Sequence, residues 1–314
     1  MNKISATLVT TCYNEISSVT NWISDINTQT KHIEDICIVD AGSTDGTLEI
    51  LKTWVKGETR IRMIVSEKCN VAQGRNKAIG MANSDIIVST DMGCRLDSNW
   101  FQKLLEPFEK DSSTDVVAGN YGVDESTIET PVAMAACYIF NNYSPILKDG
   151  FLPSSRSIAY RRRVWEELKG YPEDLTLAGD DTVFALQIIA ARYNVYYAKD
   201  AICYWGRPNE LRKYWKEAFI YGLGNGEAGI FPLRYGAQPW KILWHYDALK
   251  QATISSRRII FKAFSNGDIL AAFIIPILKY GYIINSYKGY AIGVVRGAYN
   301  CLNTRNKRLK GSAK

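Results

Sequence analysis

The chain has 314 residues, 46% of them hydrophobic and 22% charged, which is enough to bury the core of one large domain or two ordinary ones and excludes a disordered chain. Its net charge of +6 is uneven: residues 250–314 carry twelve Lys or Arg against one acid, a balance of +11 that leaves −5 for residues 1–249. Such a basic C-terminal region suits phosphate-bearing surfaces, and without a recognition-helix, zinc-finger or RNP-like signature the sequence points away from nucleic acid.

The first fifteen residues, MNKISATLVTTCYNE, lack the basic, apolar and small-residue progression of a secretory leader, so a cytoplasmic location is expected. Seven cysteines without a CxxC pair argue for reduced, buried thiols and against a disulfide framework or structural zinc. His32 and His245 are the only histidines, which leaves no histidine triad or multi-histidine metal site.

In chain order, Thr7–Tyr13 (TLVTTCY) reads as a strand, and Val19, Trp22, Ile23 and Ile26 recur at helical spacing. EDICIVDAG is a second strand ending at Asp40, followed by STDGT, where Ser43, Thr44 and Asp45 can cap a helix whose apolar face is Leu48, Leu51 and Val55. RIRMIVSE is a third strand, VAQGRNKAIGMA a loop and helix, and DIIVSTD a fourth strand. This alternation predicts a mostly parallel sheet with helices on both faces. Ligands of such sheets bind beyond the carboxyl ends of the strands, which brings Glu15, Asp40 and Asp91 to one rim. PSSRSIAYRRRVWEELKG predicts strand and helix, and Asp180 and Asp181 precede an apolar helical stretch. ELRKYWKEAFIYGLGNGEAGIF starts as a basic, aromatic helix and is expected to dissolve at its glycines into a mobile segment. Ile269–Leu278 is uncharged but too short to span a bilayer, with Pro276 and Lys279 expected to interrupt any extension.

Several of these positions suit chemistry. Asp40 precedes the caps, where its carboxylate can accept from a base or ribose hydroxyl. Arg75 sits at a loop-to-helix junction, and its planar fork matches a diphosphate or a nucleobase. An acid at the end of a buried strand, Asp91, is costly to desolvate without a partner. Magnesium or manganese suits it, since these ions take oxygen ligands from one or two carboxylates plus substrate phosphates. Cys94 is too soft a ligand for them, and Asp97 reads as an ordinary helix cap. The adjacent acids Asp180 and Asp181 either stabilise a helix N-terminus or repel enough to provide a general base.

Taken together, VTTCYNE, IVDAGSTDGT, VAQGRNKAIGMANSDIIVSTDMGCRLDSNW, PSSRSIAYRR and LAGDDTVF resemble, in order and spacing, the family 2 glycosyltransferases of GT-A fold, over roughly residues 5–230. The resemblance implies an α/β, Rossmann-like central sheet flanked by helices. It also implies inverting transfer of a sugar from a nucleoside diphosphate to a hydroxyl acceptor, saccharide or lipid-linked, in polysaccharide or glycolipid biosynthesis. Carried over residue by residue, it assigns Glu15 and Asp40 to the nucleoside, Arg75 to the nucleotide and Asp91 to a divalent cation, Mn2+ or Mg2+. Asp181, in the pair with Asp180, matches the family's base. Gly93 stands where the DxD pattern has its second aspartate, and a related subset reads aspartate, any residue, glycine, cysteine, arginine, as here. Arg156, Lys213 and Tyr214 are candidates for the acceptor side or a closing segment.

The expected organisation is a catalytic domain over 1–230, with a nucleotide-sugar half (1–115) and an acceptor half (116–230). A helical, basic extension over 231–314 follows, expected to contact the inner face of a membrane peripherally. A sugar nucleotidyltransferase would want a glycine-rich pyrophosphate loop after the first strand, which TTCYNEISS lacks. A catalytically silent sugar-binding scaffold, the other alternative, draws on Gly93.

Overall fold

Successive side chains of a strand point to opposite faces, so a strand apolar at every position needs cover on both. In the computed structural model, which describes residues 4–142, 151–230 and 246–301, the runs read as strands have that cover. The chain forms two compact units: residues 1–124, 144–173 and 180–206, and residues 125–143, 174–179 and 207–314. Residue 230, where the sequence places a boundary, lies within the second.

The first unit opens with β1 (Ala6–Cys12), α1 (Val19–Asn27), β2 (Ile36–Asp40), α2 (Thr47–Val55), β3 (Ile61–Val65), α3 (Val71–Met81) and β4 (Ile86–Ser89). β5 (Cys94–Leu96), α4 (Trp100–Lys110) and β6 (Val116–Val123) follow. In the second unit, α5 covers Pro131–Asn142; the chain then returns to the first for β7 (Ile158–Arg161), α6 (Arg162–Glu167), α7 (Asp180–Ala190) and β8 (Val195–Trp205). The eight strands form one sheet ordered β3-β2-β1-β4-β7-β6-β8-β5. Pairing is parallel from β3 to β4 and between β6 and β8, whereas β7 runs antiparallel to β4 and β6, and β5 antiparallel to β8. Leu8, Ile36 and Ile38 face a core built with Trp22 and Ile26 of α1 and Trp100 and Leu104 of α4. Their neighbours Val9, Cys37 and Val39 face Ala78 and Ile79 of α3 and Phe184 and Ile188 of α7. Each such fully buried large apolar side chain contributes about 1.5–3 kcal/mol.

The second unit is helical: α5, α8 (Leu211–Glu227), α9 (Tyr246–Ser265) and α10 (Ile269–Cys301). Two expectations fail here. Helix α8 does not dissolve at its glycines but runs through Gly222, Gly224 and Gly226, because it packs backbone to backbone on α10. A Cβ at Gly222 would overlap the Ser286 carbonyl oxygen, and one at Gly289 the Phe219 carbonyl oxygen. Nor do Pro276 and Lys279 end the downstream helix, for α10 continues unbroken for 33 residues. Ala272, Ile275 and Leu278 bury around Pro276, and packing of this kind overrides the local cost of a proline. Gly222→Ala is accordingly expected to cost about 1–3 kcal/mol in urea denaturation, since the backbone it would strike cannot swing aside; unchanged stability would contradict the close helix contact.

Candidate active site

The rim expected beyond the parallel strands is built from three loops. After β1, Asn14 adopts the left-handed region (φ 57°), which asparagine tolerates. Its backbone amide donates to Ser43 Oγ (2.9 Å) and its Oδ1 accepts from the Thr44 amide (2.8 Å). The Glu15 and Ile16 amides donate to Thr47 Oγ1 (2.8 Å) and Asp45 Oδ2 (3.0 Å). Ser43, Asp45 and Thr47 therefore lace the β1 and β2 loops together. Of the three residues read as caps, Asp45 alone accepts from the helix, at the Thr47 amide (3.0 Å), and the residue before α2 is Gly46 in the left-handed region.

Asp40 is fully buried. Its Oδ1 accepts from the Gly42 and Ser43 amides (2.9 and 2.8 Å), and its Oδ2 accepts from the Cys12 thiol (3.4 Å). Both oxygens are engaged within the protein and the residue has no exposed surface, so in this conformation the carboxylate serves its own turn.

Helix α3 begins with a reciprocal cap, Asn70 Oδ1 accepting the Gln73 amide (2.8 Å) and Gln73 Oε1 the Asn70 amide (3.0 Å). A Cβ at Gly74 would overlap Thr11 Oγ1, so glycine lets the helix press against the end of β1. Arg75 is thereby delivered to the rim, and it is buried, not solvated on a helix surface. Its Nη2 donates to Asp91 Oδ1 (2.6 Å) and its Nη1 to Asp180 Oδ2. Burial opposes the charge of Arg75, but Asp180 and Asp91 more than offset it and hold its pKa well above the ordinary value. For Asp91 burial likewise opposes ionisation, and Arg75, then Arg156, overcome it and keep its carboxyl below the usual range. Asp180 goes the other way, pushed up by burial despite Arg75, with Asp181 adding to the rise. Asn76, next to Arg75, binds the segment that leads to α7, accepting from Trp165 Nε1 and the Tyr171 amide (both 2.9 Å). Tyr171 in turn stacks on Phe184 of α7 at 4.3 Å.

Asp181 differs from its neighbour. Its carboxylate is half-buried and accepts from hydroxyls, Ser154 Oγ at 3.3 Å and Thr182 Oγ1 at 3.4 Å. Two residues beyond Ser154, Arg156 places its Nε 3.8 Å from Asp91 Oδ2 and its guanidinium 4.0 Å over the Trp205 ring. Arg75 thus ties Asp91 and Asp180 together, the charge of the adjacent Asp181 also acts on it, and Arg156 lies near Asp91. Lys213 and Tyr214 belong to the second unit, where Lys213 pairs with Glu210 (2.6 Å) and Tyr214 is buried against Tyr282. Asp97 accepts from the Asn99 amide (3.0 Å) in the turn before α4; the residue at the cap position is Asn99, so Asp97 holds the turn and does not cap the helix as expected. His245 lies outside the described residues. Sequence reasoning missed Ser154 and Trp205. Ser154 sits inside the PSSRS stretch that singled out Arg156, whereas Trp205 carried no signal.

A divalent cation needs hard oxygen donors, and among the described residues no three His, Cys, Asp or Glu cluster to hold one. One carboxylate, that of Glu15, comes close to Gly93 in the loop after Asp91. A Cβ there would stand 3.4 Å from Glu15 Oε2, so the absent side chain leaves the Glu15 carboxylate next to the Asp91 loop. Burial raises the Glu15 pKa, Ser18 lowers it in part, and Asp91 raises it further. Two carboxylates fit an ion that completes its shell with diphosphate and water.

The model of glycosyl transferase family 2 matches residues 7–169. The O-antigen chain rhamnosyltransferase WbaN of Salmonella anatum is 28% identical over 210 residues, 63% of this chain and 64% of WbaN; the match spans just under two thirds of that relative. The mannosyltransferase PcManGT of Pyrobaculum calidifontis, solved with GDP-Man and Mn2+, superposes with a TM-score of 0.53 at 18% identity, covering 95% of this chain and 87% of that one. Residues 1–349 of S. aureus TarS, solved with UDP, give 0.52 at 14% identity, covering 91% and 89%. These likenesses show the GT-A fold. With the family match covering more than half of its residues, this chain belongs to glycosyl transferase family 2.

Proposed function

We propose that the protein transfers a sugar from a nucleoside diphosphate to a hydroxyl acceptor, with inversion at the anomeric carbon, in polysaccharide biosynthesis. The observation that carries this reading is the Arg75 fork: it ties Asp91 and Asp180 together, while the neighbouring Asp181 accepts from the Ser154 and Thr182 hydroxyls. WbaN is a rhamnosyltransferase of O-antigen chains, which supports polysaccharide building. GDP-Man and UDP in the two solved neighbours support a nucleotide-linked donor.

In this reading Asp181 takes the proton of the acceptor hydroxyl as its oxygen attacks the anomeric carbon from the face opposite the diphosphate. The bond to the diphosphate breaks, and configuration inverts in one displacement. Arg156, beside Asp91, offers positive charge to the departing group. Asp91, with Glu15 beside its loop, would hold a manganese or magnesium ion, which would supply further charge to the leaving diphosphate. Asp40 shapes the turn on which the nucleoside rests. The acceptor is a saccharide or a lipid-linked saccharide, and the protein works at the inner face of a membrane. Gly93 alone would favour a silent binding protein, but Glu15 supplies an acid at that position.

A thermal-shift screen of nucleoside diphosphates, with and without manganese, tests the reading. One base class is expected to stabilise the protein, by about 2.7 kcal/mol when ligand is at a hundred times its Kd, and less so in Asp91→Ala. Absence of stabilisation by every nucleotide would contradict it.

A further inference from the structure

Helix α10 buries one face and exposes the other. Ala271, Ala272, Ile275 and Leu278 pack in the helical core, and Gly289 and Gly293 lie against α8. On the opposite side Leu270, Phe273, Ile277, Ile284 and Val295 follow at helical spacing, with Phe273 65% and Val295 70% exposed. On α9, Arg257, Phe261 and Phe264 recur at the same spacing, and Phe261 is 74% exposed. The Phe264 and Phe273 rings meet edge-on at 5.7 Å, so the two stripes form one surface. An exposed apolar surface of this extent marks a site of contact.

What covers it follows from charge and from α8. Residues 250–314 carry +11, and Arg257, Arg258 and Lys262 are exposed around the phenylalanines, which complements an anionic surface. Ile269–Gly297 is long and apolar enough to cross a bilayer by length and composition. But α8 runs alongside it in parallel register, from Trp215 against Gly281 to Glu227 against Gly297. Gly281 is near the midpoint of that stretch. A crossing α10 would therefore carry the exposed Arg212, Lys213 and Lys216 of α8 into the hydrocarbon centre, where charge is costly.

We propose that the α9–α10 face docks on an anionic lipid bilayer, with α10 lying in the membrane plane. Phe261, Phe273 and Ile277 enter the acyl boundary, and Arg257, Arg258 and Lys262 sit among the headgroups. Lys288, exposed on the same stripe, reaches back to the headgroups along its aliphatic stem.

The test is cosedimentation of the full chain with phosphatidylcholine vesicles, with and without phosphatidylglycerol, alongside nucleoside diphosphate binding in the same samples. Binding to the anionic vesicles is expected, weakened by salt and reversed by alkaline carbonate. Both Phe261→Glu/Phe273→Glu and Arg257→Glu/Arg258→Glu are expected to weaken it at least about tenfold, with the melting temperature and nucleotide binding unchanged. Loss of nucleotide binding alone would speak against the catalytic reading and not against this surface. Carbonate-resistant insertion would overturn the proposal, as would equal binding to neutral vesicles or binding indifferent to both double variants. So would a wild-type oligomer that ignores vesicles and falls to monomers in the phenylalanine variant, since a second copy would then be the occupant.

Discussion

Asp181→Asn is expected to lower sugar transfer about 10²–10⁴-fold, the range for removal of a positioned general base, while nucleoside diphosphate affinity stays within twofold or so of the wild type. The split follows from the site. Among the described residues Asp181 accepts from the hydroxyls of Ser154 and Thr182, one at each oxygen; the amide oxygen of asparagine can accept one of these bonds and its NH2 can donate to the other hydroxyl, which turns to accept, so the crevice keeps its shape and loses the group proposed to take the proton. Asp180→Asn should behave differently. Asp180 is buried against Arg75, so its loss disturbs the guanidinium that also holds Asp91, and both binding and stability fall. Transfer rates and nucleotide titrations of the two variants side by side separate the roles; equal behaviour would mean that the pair acts as one unit.

The largest effect on stability is expected at Arg75. Arg75→Met keeps much of the side-chain volume and removes the charge, leaving Asp180 buried without its cation. Breaking a buried pair from one side costs about 3–5 kcal/mol, read as a lower denaturation midpoint. Combining it with Asp180→Asn should recover part of that loss, because the second change removes the stranded carboxylate; additive losses would show that the two residues are not coupled. Neither variant should bind nucleoside diphosphate normally, since Asp91 loses its 2.6 Å contact in both.

The strand ends proposed to carry this chemistry were legible because burial on both faces writes itself as continuous β-branched runs, and each run stops at a polar residue: Asp40 after ICIV, Asp91 after IIVST. The Arg75 fork was legible only as a residue. Its two carboxylate partners lie 16 and 105 positions away, a pairing that spacing does not encode. Asp40 was ambiguous in the sequence, since a carboxylate followed by Ala-Gly-Ser can face a ligand or accept the amides of its own turn, and the backbone path here brings the Gly42 and Ser43 amides to it. The glycines of α8 read as breakers because local propensity contains no neighbour; α10, some sixty residues later, turns them into a packing seam. Pro276 misled for the same reason. In each case the long-range partner, not the local preference, set the outcome.

The crystal structure of the protein with a nucleoside diphosphate and manganese tests the central claim most directly. The diphosphate is expected against Asp91, with the ion held by Asp91 and Glu15 and the Asp181 carboxylate open toward the sugar side. A diphosphate bound away from Asp91, or an Asp181 carboxylate turned away from it, would contradict the proposed transfer.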